Sequence, residues 1–561
     1  MRWFPPKSIQ STFKSVLEKE FNIHSSIAEL LVLRGFEDVN AVSAFLNPKL
    51  GNLEDPFLLP DMTAAVACIF KAIDAGQQIL LYGDYDVDGV TSVTLLHRIL
   101  LEFGANVRSY LPDRLRNGYG LSLKGMEDSF KNNKPDLLIT LDCGTSSLKE
   151  VAEARRMGIE VIIIDHHECG AEIPQCAALV NPKRGSKFEY LCTVGIAFKV
   201  AHALLKTRRE TSIELKDYLD LVALGTVADV VPLTEENRLL VIKGLKQAAH
   251  SKWLGLKALL KISGVSGGVL ASDISFKIAP RINAAGRLES AGIALDLMMS
   301  ESEVDVETLV NQLDRLNTER RSLADNVYSQ AEEAVAATFD SNRHKAIVVG
   351  GKNWHPGLIG IAAARLVQKY HCPVIVIGFD EAGVGKGSAR SVEGFSLVEA
   401  LRHCNGCLIK HGGHHMAAGV GLMESRMEEF QSAFRAYAEQ ILGGNTLVPK
   451  VAPDVQIQLS DITLHLLEGY EAMGPFGTGH PEPLFLLKNI HAAAAPTIMK
   501  EKHRSFTFWQ NGATARAVWF NSADQELPPP PWDVAFTLAR NDFRGVTSPS
   551  IQVRYLRSAE A

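Results

Sequence analysis

The chain has 561 residues, and at about 150 residues per domain that length points to three or four domains and argues against one core. Hydrophobic residues make up 46% and charged residues 22%, so several cores can form and the composition of a disordered chain is absent. The 64 acidic and 58 basic residues leave a net charge of −6, which excludes a globally basic nucleic-acid coat and requires any polyanion to meet a local patch. Two divalent cations in an acidic cluster would offset four of those negative charges where they sit.

Met1-Arg2-Trp3-Phe4-Pro5-Pro6 leads into no apolar signal-type segment, and no run of eighteen apolar residues follows anywhere. The expectation is a cytoplasmic protein. The eight cysteines are scattered, and the one close pair, Cys404 and Cys407, has neither a second pair nor the histidines of a zinc site. Reduced, packing cysteines are expected.

In chain order, residues 1–60 read as a packed N-terminal extension with no recognisable chemistry. Over 61–300, short apolar runs (Ile79–Tyr82, Leu137–Leu141, Val161–Ile164) alternate with helical patterns, which predicts a mostly parallel α/β sheet buried on both faces. Residues 301–340 lack Gly and Pro, and Leu309, Leu313, Leu316, Leu323 and Val327 recur at helical spacing, predicting a long connector helix. A second α/β domain is expected over 341–445, with strands at Ala346–Val349 and Pro373–Ile377 around a helix over Gly360–Tyr370. From Val455 the pattern alternates, so 450–561 reads as a small β-barrel or sandwich.

Gly83-Asp84-Tyr85-Asp86-Val87-Asp88-Gly89 follows the first strand. Extended alternation would point its three carboxylates one way, an arrangement that mutually repelling anions tolerate around cations. Asp142-Cys143-Gly144 and Asp165-His166-His167 follow later strands, and in open α/β sheets such strand ends share one crevice. Asp with His and no thiolate suits Mn²⁺ or a similar divalent ion, and a bridging carboxylate can hold two ions about 3.5–4 Å apart. Asp229 is a lone acid in an apolar stretch, and the residues alone leave ligand and hydrogen-bonded cap equally open.

Ser388 and Arg390 stand two apart on a predicted strand, a hydroxyl beside a phosphate fork. Arg281 and Arg287 flank a predicted loop of small residues; a surface salt bridge is the usual alternative for either. Gly412, Gly413 and Gly419 can leave N–H groups to cradle an anion beside His414. Tyr119, between glycines, reads equally as a base-stacking or a turn aromatic, and Phe506, Phe508, Trp509 and Trp519 divide between core and stacking surface.

Asp84-Tyr-Asp86-Val-Asp88-Gly89 with Asp165-His166-His167 resembles the DHH phosphoesterase superfamily, and Gly412-Gly413-His414-His415-Met416-Ala417-Ala418-Gly419 is similar to its DHH-associated domain. Leu111–Gly120, Pro280–Arg287 and Trp354–Ile361 narrow the resemblance to the RecJ family of 5′→3′ single-stranded-DNA exonucleases. The resemblance implies a DHH domain and a DHH-associated domain joined by the helix, then an oligonucleotide-binding barrel signalled by Gly474–Pro483. In that last stretch this chain has His480 where relatives are expected to have Asn.

Residue by residue, the resemblance implies Asp142 as the bridging ligand, Asp84 and Asp86 on one of two Mn²⁺ or Mg²⁺ ions, and Asp88, His166 and Asp229 on the other. His167 would face the substrate phosphate, making His167, Asp142 and Asp88 the residues closest to catalysis. Arg114, Tyr119, Arg281, Arg287, Ser388, Arg390 and His414 would contact phosphate or DNA. It also implies a monomer acting in DNA repair and recombination, with a single-strand-binding protein and a RecQ-type helicase as partners. Two other readings compete: a phosphodiesterase of short oligonucleotides or cyclic dinucleotides, whose relatives lack a barrel tail, and a non-catalytic replication scaffold, which would be expected to have lost ligands.

Overall fold

The structure is a computed structural model describing all residues except 8, 10, 115, 119, 132, 210–212, 341, 342, 444–447, 449, 544, 560 and 561. The chain divides into two units: Leu59–Asp229 with Lys246–Val448, and Met1–Leu58 with Val230–Leu245 and Pro449–Ala561.

The first unit begins with strands β1 (Gln78–Gly83), β2 (Asn106–Tyr110), β3 (Leu137–Leu141), β4 (Glu160–Ile164) and β5 (Ala178–Val180). All are parallel, in the order β2-β1-β3-β4-β5. The chain leaves β1 for one edge and returns past it to β3, so the sheet reverses direction at β1 and β3, where a crevice opens beyond the strand ends. Every residue of β3 is buried, as expected for a parallel sheet covered on both faces. Helices α1 (Val87–Glu102), α2 (Thr193–Thr207) and α3 (Leu219–Ala228) pack together against it.

Helix α4 (Ala279–Leu288) contains the Pro-Arg-Ile-Asn-Ala-Ala-Gly-Arg stretch expected to be a loop. Pro280 sits in its first turn, where a missing N–H costs nothing, and the small residues serve packing: Gly286 lies directly against Tyr85. Helix α5 runs over Glu303–Thr338, about 54 Å at 1.5 Å per residue. Its buried stripe is Val306, Val310, Leu313, Leu316, Asn317, Ala324, Val327, Ala331 and Val335. Leu323, expected on that stripe, is exposed, because Ala324 takes the buried position beside it.

The second sheet of this unit pairs Ile347–Lys352 with Val374–Phe379 in parallel, then adds Val384–Arg390, Ala417–Met423 and Lys410–Gly413 antiparallel. Alternate residues serve opposite faces. Val348, Ile375 and Ile377 meet Phe430 and Phe434, whereas Ile347, Val349, Val374 and Val376 meet Val327, Ala331 and Val335 of α5.

The second unit holds a closed barrel. Phe485–Ala492 pairs with both Trp532–Phe543 and His503–Gln510, while Val546–Ser558 and Ala513–Trp519 complete the ring. Residues 1–58 share its core: Leu17, Ile27, Leu30, Leu31 and Val42 cluster with Leu466, Tyr470, Phe485 and Phe536. Trp3 also pairs with Val451. The N-terminal segment is therefore structurally part of the barrel unit, its amphipathic helices covering apolar surface that the barrel would otherwise expose. All eight cysteines are free, and Cys404 is packed in the core of the second sheet. No single helix among the described residues is long and apolar enough to cross a membrane.

Candidate active site

The three carboxylates after β1 converge by a different route from strand alternation. Asp84 directly follows the strand, Asp86 caps α1 by accepting from the Asp88 and Gly89 amides at 3.0 and 3.2 Å, and Asp88 lies inside the first helical turn. Gly89 permits this tight exit, since a Cβ there would stand 2.3 Å from the Asp84 carbonyl oxygen. Asp142 follows β3 at φ 64°, a left-handed conformation that Asp tolerates better than most residues. Asp229 ends α3, and its Oδ2 is buried without a hydrogen-bond partner among the described residues. Val230 beside it has φ 62°, strained for a β-branched residue.

These acids crowd one crevice. The His166 Nε2 lies 3.4 Å from Asp142 Oδ1 and 3.6 Å from Asp229 Oδ2. Both Asp88 oxygens accept amides at the start of α2, from Thr193 at 2.7 Å and Val194 at 2.8 Å, and the Thr193 hydroxyl donates to Asp142 Oδ1 at 3.1 Å. Burial first, and then neighbouring carboxylates, raise Asp84 to about 6, Asp88 to about 7 and Asp229 to about 9, and hold Asp142 well above the ordinary carboxylate range. Without cations the cluster therefore resists full ionisation.

The two adjacent histidines are held in opposite states. Burial, with the neighbouring His167 adding to it, lowers His166 to about 4, keeping the neutral imidazole that coordinates metal. His167 donates from Nδ1 to Asp165 Oδ1 at 2.7 Å, which raises it to about 9. Asp165 also accepts from the amides of Thr145, His166 and His167. Although burial opposes it, the His167 and Thr145 bonds hold Asp165 at about 2. Sequence reasoning gave Asp165 no role, yet it fixes the charge and orientation of His167. Ligand atoms of Asp142, His166 and His167 also lie within 4.8 Å of one another, so distance alone does not separate the histidines.

A second cluster is cationic. The Arg114 guanidinium lies 4.8 Å over the Tyr85 ring, its Nη1 buried without a hydrogen-bond partner among the described residues. Arg287 donates to the Gly357 carbonyl at 2.8 Å, and Arg390 donates to Ser388 Oγ at 3.1 Å. Burial, then a neighbouring guanidinium, lowers Arg287 beside Arg114, and both Arg320 and Arg390 beside Arg287. Gly360 opens the helix Ile359–Tyr370 next to them; a Cβ there would lie 2.9 Å from Ser388 Oγ and 3.2 Å from Arg390 Nη2. A helix N-terminus with clustered guanidiniums and a hydroxyl is a ready anion site.

Other predicted contacts fall differently. Arg281 pairs with Asp314 at 2.9 Å and donates to Lys277 O at 2.6 Å, the salt-bridge alternative. Gly412 and Gly413 are strand residues opposite Gly419 and Ala418, not an open loop. His414 is exposed and its amide donates to Ala417 O. Tyr119 lies outside the described residues. In the barrel Phe506 and Phe508 are core and Trp509 is exposed. Sequence reasoning missed Arg320, which lies beside Arg287; only its spacing on α5 offered a signal, and nothing marked its partner face.

Three domain families match: the DHH family N-terminal domain over 78–226, the DHHA1 domain over 343–440 and the RecJ OB domain over 453–555. The single-stranded-DNA-specific exonuclease RecJ of Bacillus subtilis (strain 168) is 36% identical over 564 aligned residues, covering 99% of this chain and 70% of that protein. The chain belongs to the RecJ family. RecJ of Escherichia coli K12 is 35% identical across 76% of this chain and 78% of its own. The crystal structure of RecJ in complex with Mn²⁺ from Thermus thermophilus matches with a TM-score of 0.84 at 30% identity, covering 100% of this chain and 80% of that one. Membership joins the two α/β sheets and the barrel into one RecJ-type architecture.

Proposed function

We propose that this chain removes 5′-mononucleotides from the 5′ end of single-stranded DNA by metal-dependent hydrolysis, in repair and recombination. It is a metal-dependent single-stranded-DNA exonuclease, and the observation that carries this reading is the acid-histidine cluster at the ends of β1, β3 and β4 in a RecJ-family chain. RecJ structures hold Mn²⁺ or Mg²⁺.

The residues fit such ions. Asp229 Oδ2 is buried without a hydrogen bond, His166 is held neutral, and the crowded carboxylates need opposite charge. Asp84 and Asp86 would hold one ion, Asp88, His166 and Asp229 the other, and Asp142 both. When bound, such a pair supplies an activated water at neutral pH and neutralises charge developing on the phosphate.

The chain's own groups do the rest. His167, cationic through Asp165, donates to a non-bridging oxygen of the scissile phosphate, where negative charge grows as the bond breaks. Arg114, Arg287, Ser388 and Arg390 receive the terminal phosphate, so a free strand end rather than an internal segment seats beside the acids. The barrel, with Trp509 exposed, tracks the strand beyond the cut. The long-strand reading is favoured over one for cyclic dinucleotides by that barrel, and the catalytic reading over a scaffold by the complete set of acids and histidines. Single strands labelled at either end, incubated with Mn²⁺, test it: labelled mononucleotide should appear at once from the 5′ label alone, and early release from the 3′ label would refute the polarity.

A further inference from the structure

We infer that Cys192 gives one side of the acidic centre a sulfur-bearing ligand set, with Asp88, Asp229 and the adjoining His166, which captures a soft divalent cation of the Zn²⁺ or Cd²⁺ class in competition with Mn²⁺. The inference rests on the metal-centre reading above and adds to it a residue that reading does not use.

Cys192 caps the start of α2 and is fully buried. Its Sγ and carboxylate oxygens of Asp88 and Asp229 all lie within 4.8 Å of one another. His166 belongs to the neighbouring cluster with Asp142, and its Nε2 lies 3.6 Å from Asp229 Oδ2, the carboxylate the two clusters have in reach. Tetrahedral zinc takes sulfur at about 2.3 Å and nitrogen or oxygen at about 2.0–2.2 Å, which sets sulfur and oxygen ligands about 3.6 Å apart. Asp88, Cys192 and Asp229 therefore have to close from within 4.8 Å toward that spacing around the ion. The sulfur's contact with Thr226 Oγ1, at 3.6 Å, is weak enough for a metal bond to replace.

Ligand type decides which ion profits. Mn²⁺ and Mg²⁺ gain little from sulfur, whereas thiolate favours Zn²⁺ and its heavier congener, and divalent affinities already rise from Mn²⁺ to Zn²⁺. On capture the thiol proton passes to solvent and the sulfur keeps its electrons, so no oxidant or reductant is involved. A soft ion seated there occupies Asp88, Asp229 and His166, and the hard ion is excluded from them.

The test titrates the full-length protein with Cd²⁺ and follows the ultraviolet sulfur-to-cadmium charge-transfer band. Cys404→Ser serves as the control for the other thiols. Cys192→Ser should remove the band's tightest-binding component, weakening apparent Cd²⁺ affinity at least about tenfold, while Cys404→Ser leaves it in place. Saturating Mn²⁺ should suppress the same component in the unmutated protein, and if Cys192→Ser fails to fold by circular dichroism, survival of the Mn²⁺-sensitive band in Cys143→Ser excludes the buried thiol next to Asp142, while its loss there would overturn the inference. An unchanged band in folded Cys192→Ser, or a band indifferent to Mn²⁺, would overturn the inference. Equilibrium dialysis with Mn²⁺ alone separates the two levels: normal Mn²⁺ binding without the cysteine-dependent band defeats this inference, and no Mn²⁺ binding defeats the metal centre itself.

Discussion

The carboxylates beyond the first sheet and the guanidiniums beside the second are both crowds of like charge, assembled in different ways. Asp84, Asp86 and Asp88 lie within five residues and fold together through one strand end and one helical turn, joined by Asp142 from a later strand end and Asp229 from a helix end. Arg114, Arg287, Arg320 and Arg390 come from four distant segments and meet only when the tertiary structure forms. Each crowd bears desolvation and self-repulsion, which lift the acids and lower the arginines. Such strain would be relieved by a partner of opposite sign, and the proposal assigns cations to one and phosphate to the other.

If the acids are the reacting centre and the arginines the seat of the strand end, substitutions should separate along that line. Asp142→Ala should show the largest effect, a fall in kcat of at least about 10³-fold in Mn²⁺, because it removes the carboxylate that both ions would share. Steady-state kinetics at saturating Mn²⁺ check it, and near-normal turnover would break the comparison on the acidic side. His167→Ala should follow, with kcat down about 10²-fold and metal content unchanged by elemental analysis; loss of an ion would move His167 into the ligand set.

On the cationic side, Arg390→Ala should lower kcat/KM about 10- to 100-fold on 5′-phosphorylated strands, with a much smaller effect on 5′-hydroxyl strands. Equal losses on both would mean the arginines support the fold and do not read the strand end.

The acidic side was legible because strand-end motifs keep their ligands close in sequence. The cationic side was only half legible. Arg390 and Ser388 share a strand and could be paired by alternation, but Arg320 looked like any surface arginine of a long helix until the fold placed it beside Arg287. Arg281 misled for the same reason: sequence shows a charge, not the Asp314 that takes it up. The same holds for residues 1–58, which read as a packed extension although their target, the barrel core, lies more than four hundred residues away. Removing 450–561 would strip those helices of their core, so the barrel is better probed at its surface. Trp509→Ala should weaken binding of long single strands by about 1–3 kcal/mol in a fluorescence anisotropy titration and leave trinucleotide hydrolysis unchanged.

The last expected effect bears on stability and leaves the site itself untouched. His480 is buried, with Nε2 donating to Met473 O at 2.8 Å and Nδ1 2.7 Å from the Arg34 guanidinium. Burial, then Arg34, lowers it from 6.5 to about 4. Its folded value is depressed, so the neutral ring's contribution is complete above pH 6.5 and is lost as the pH falls toward about 4, on the order of 3 kcal/mol in all. Thermal melts of the full chain between pH 7 and 4 should fall less steeply for His480→Asn, and parallel profiles would remove His480 from the account.

The most direct test of the acidic centre is the number of Mn²⁺ ions bound per chain, measured by equilibrium dialysis with elemental analysis on the unmutated protein, Arg390→Ala and Asp142→Ala. The account predicts two ions for the first two proteins and fewer for Asp142→Ala, since only the acidic crowd holds metal. Two ions retained by Asp142→Ala, or none in the unmutated chain, would contradict it.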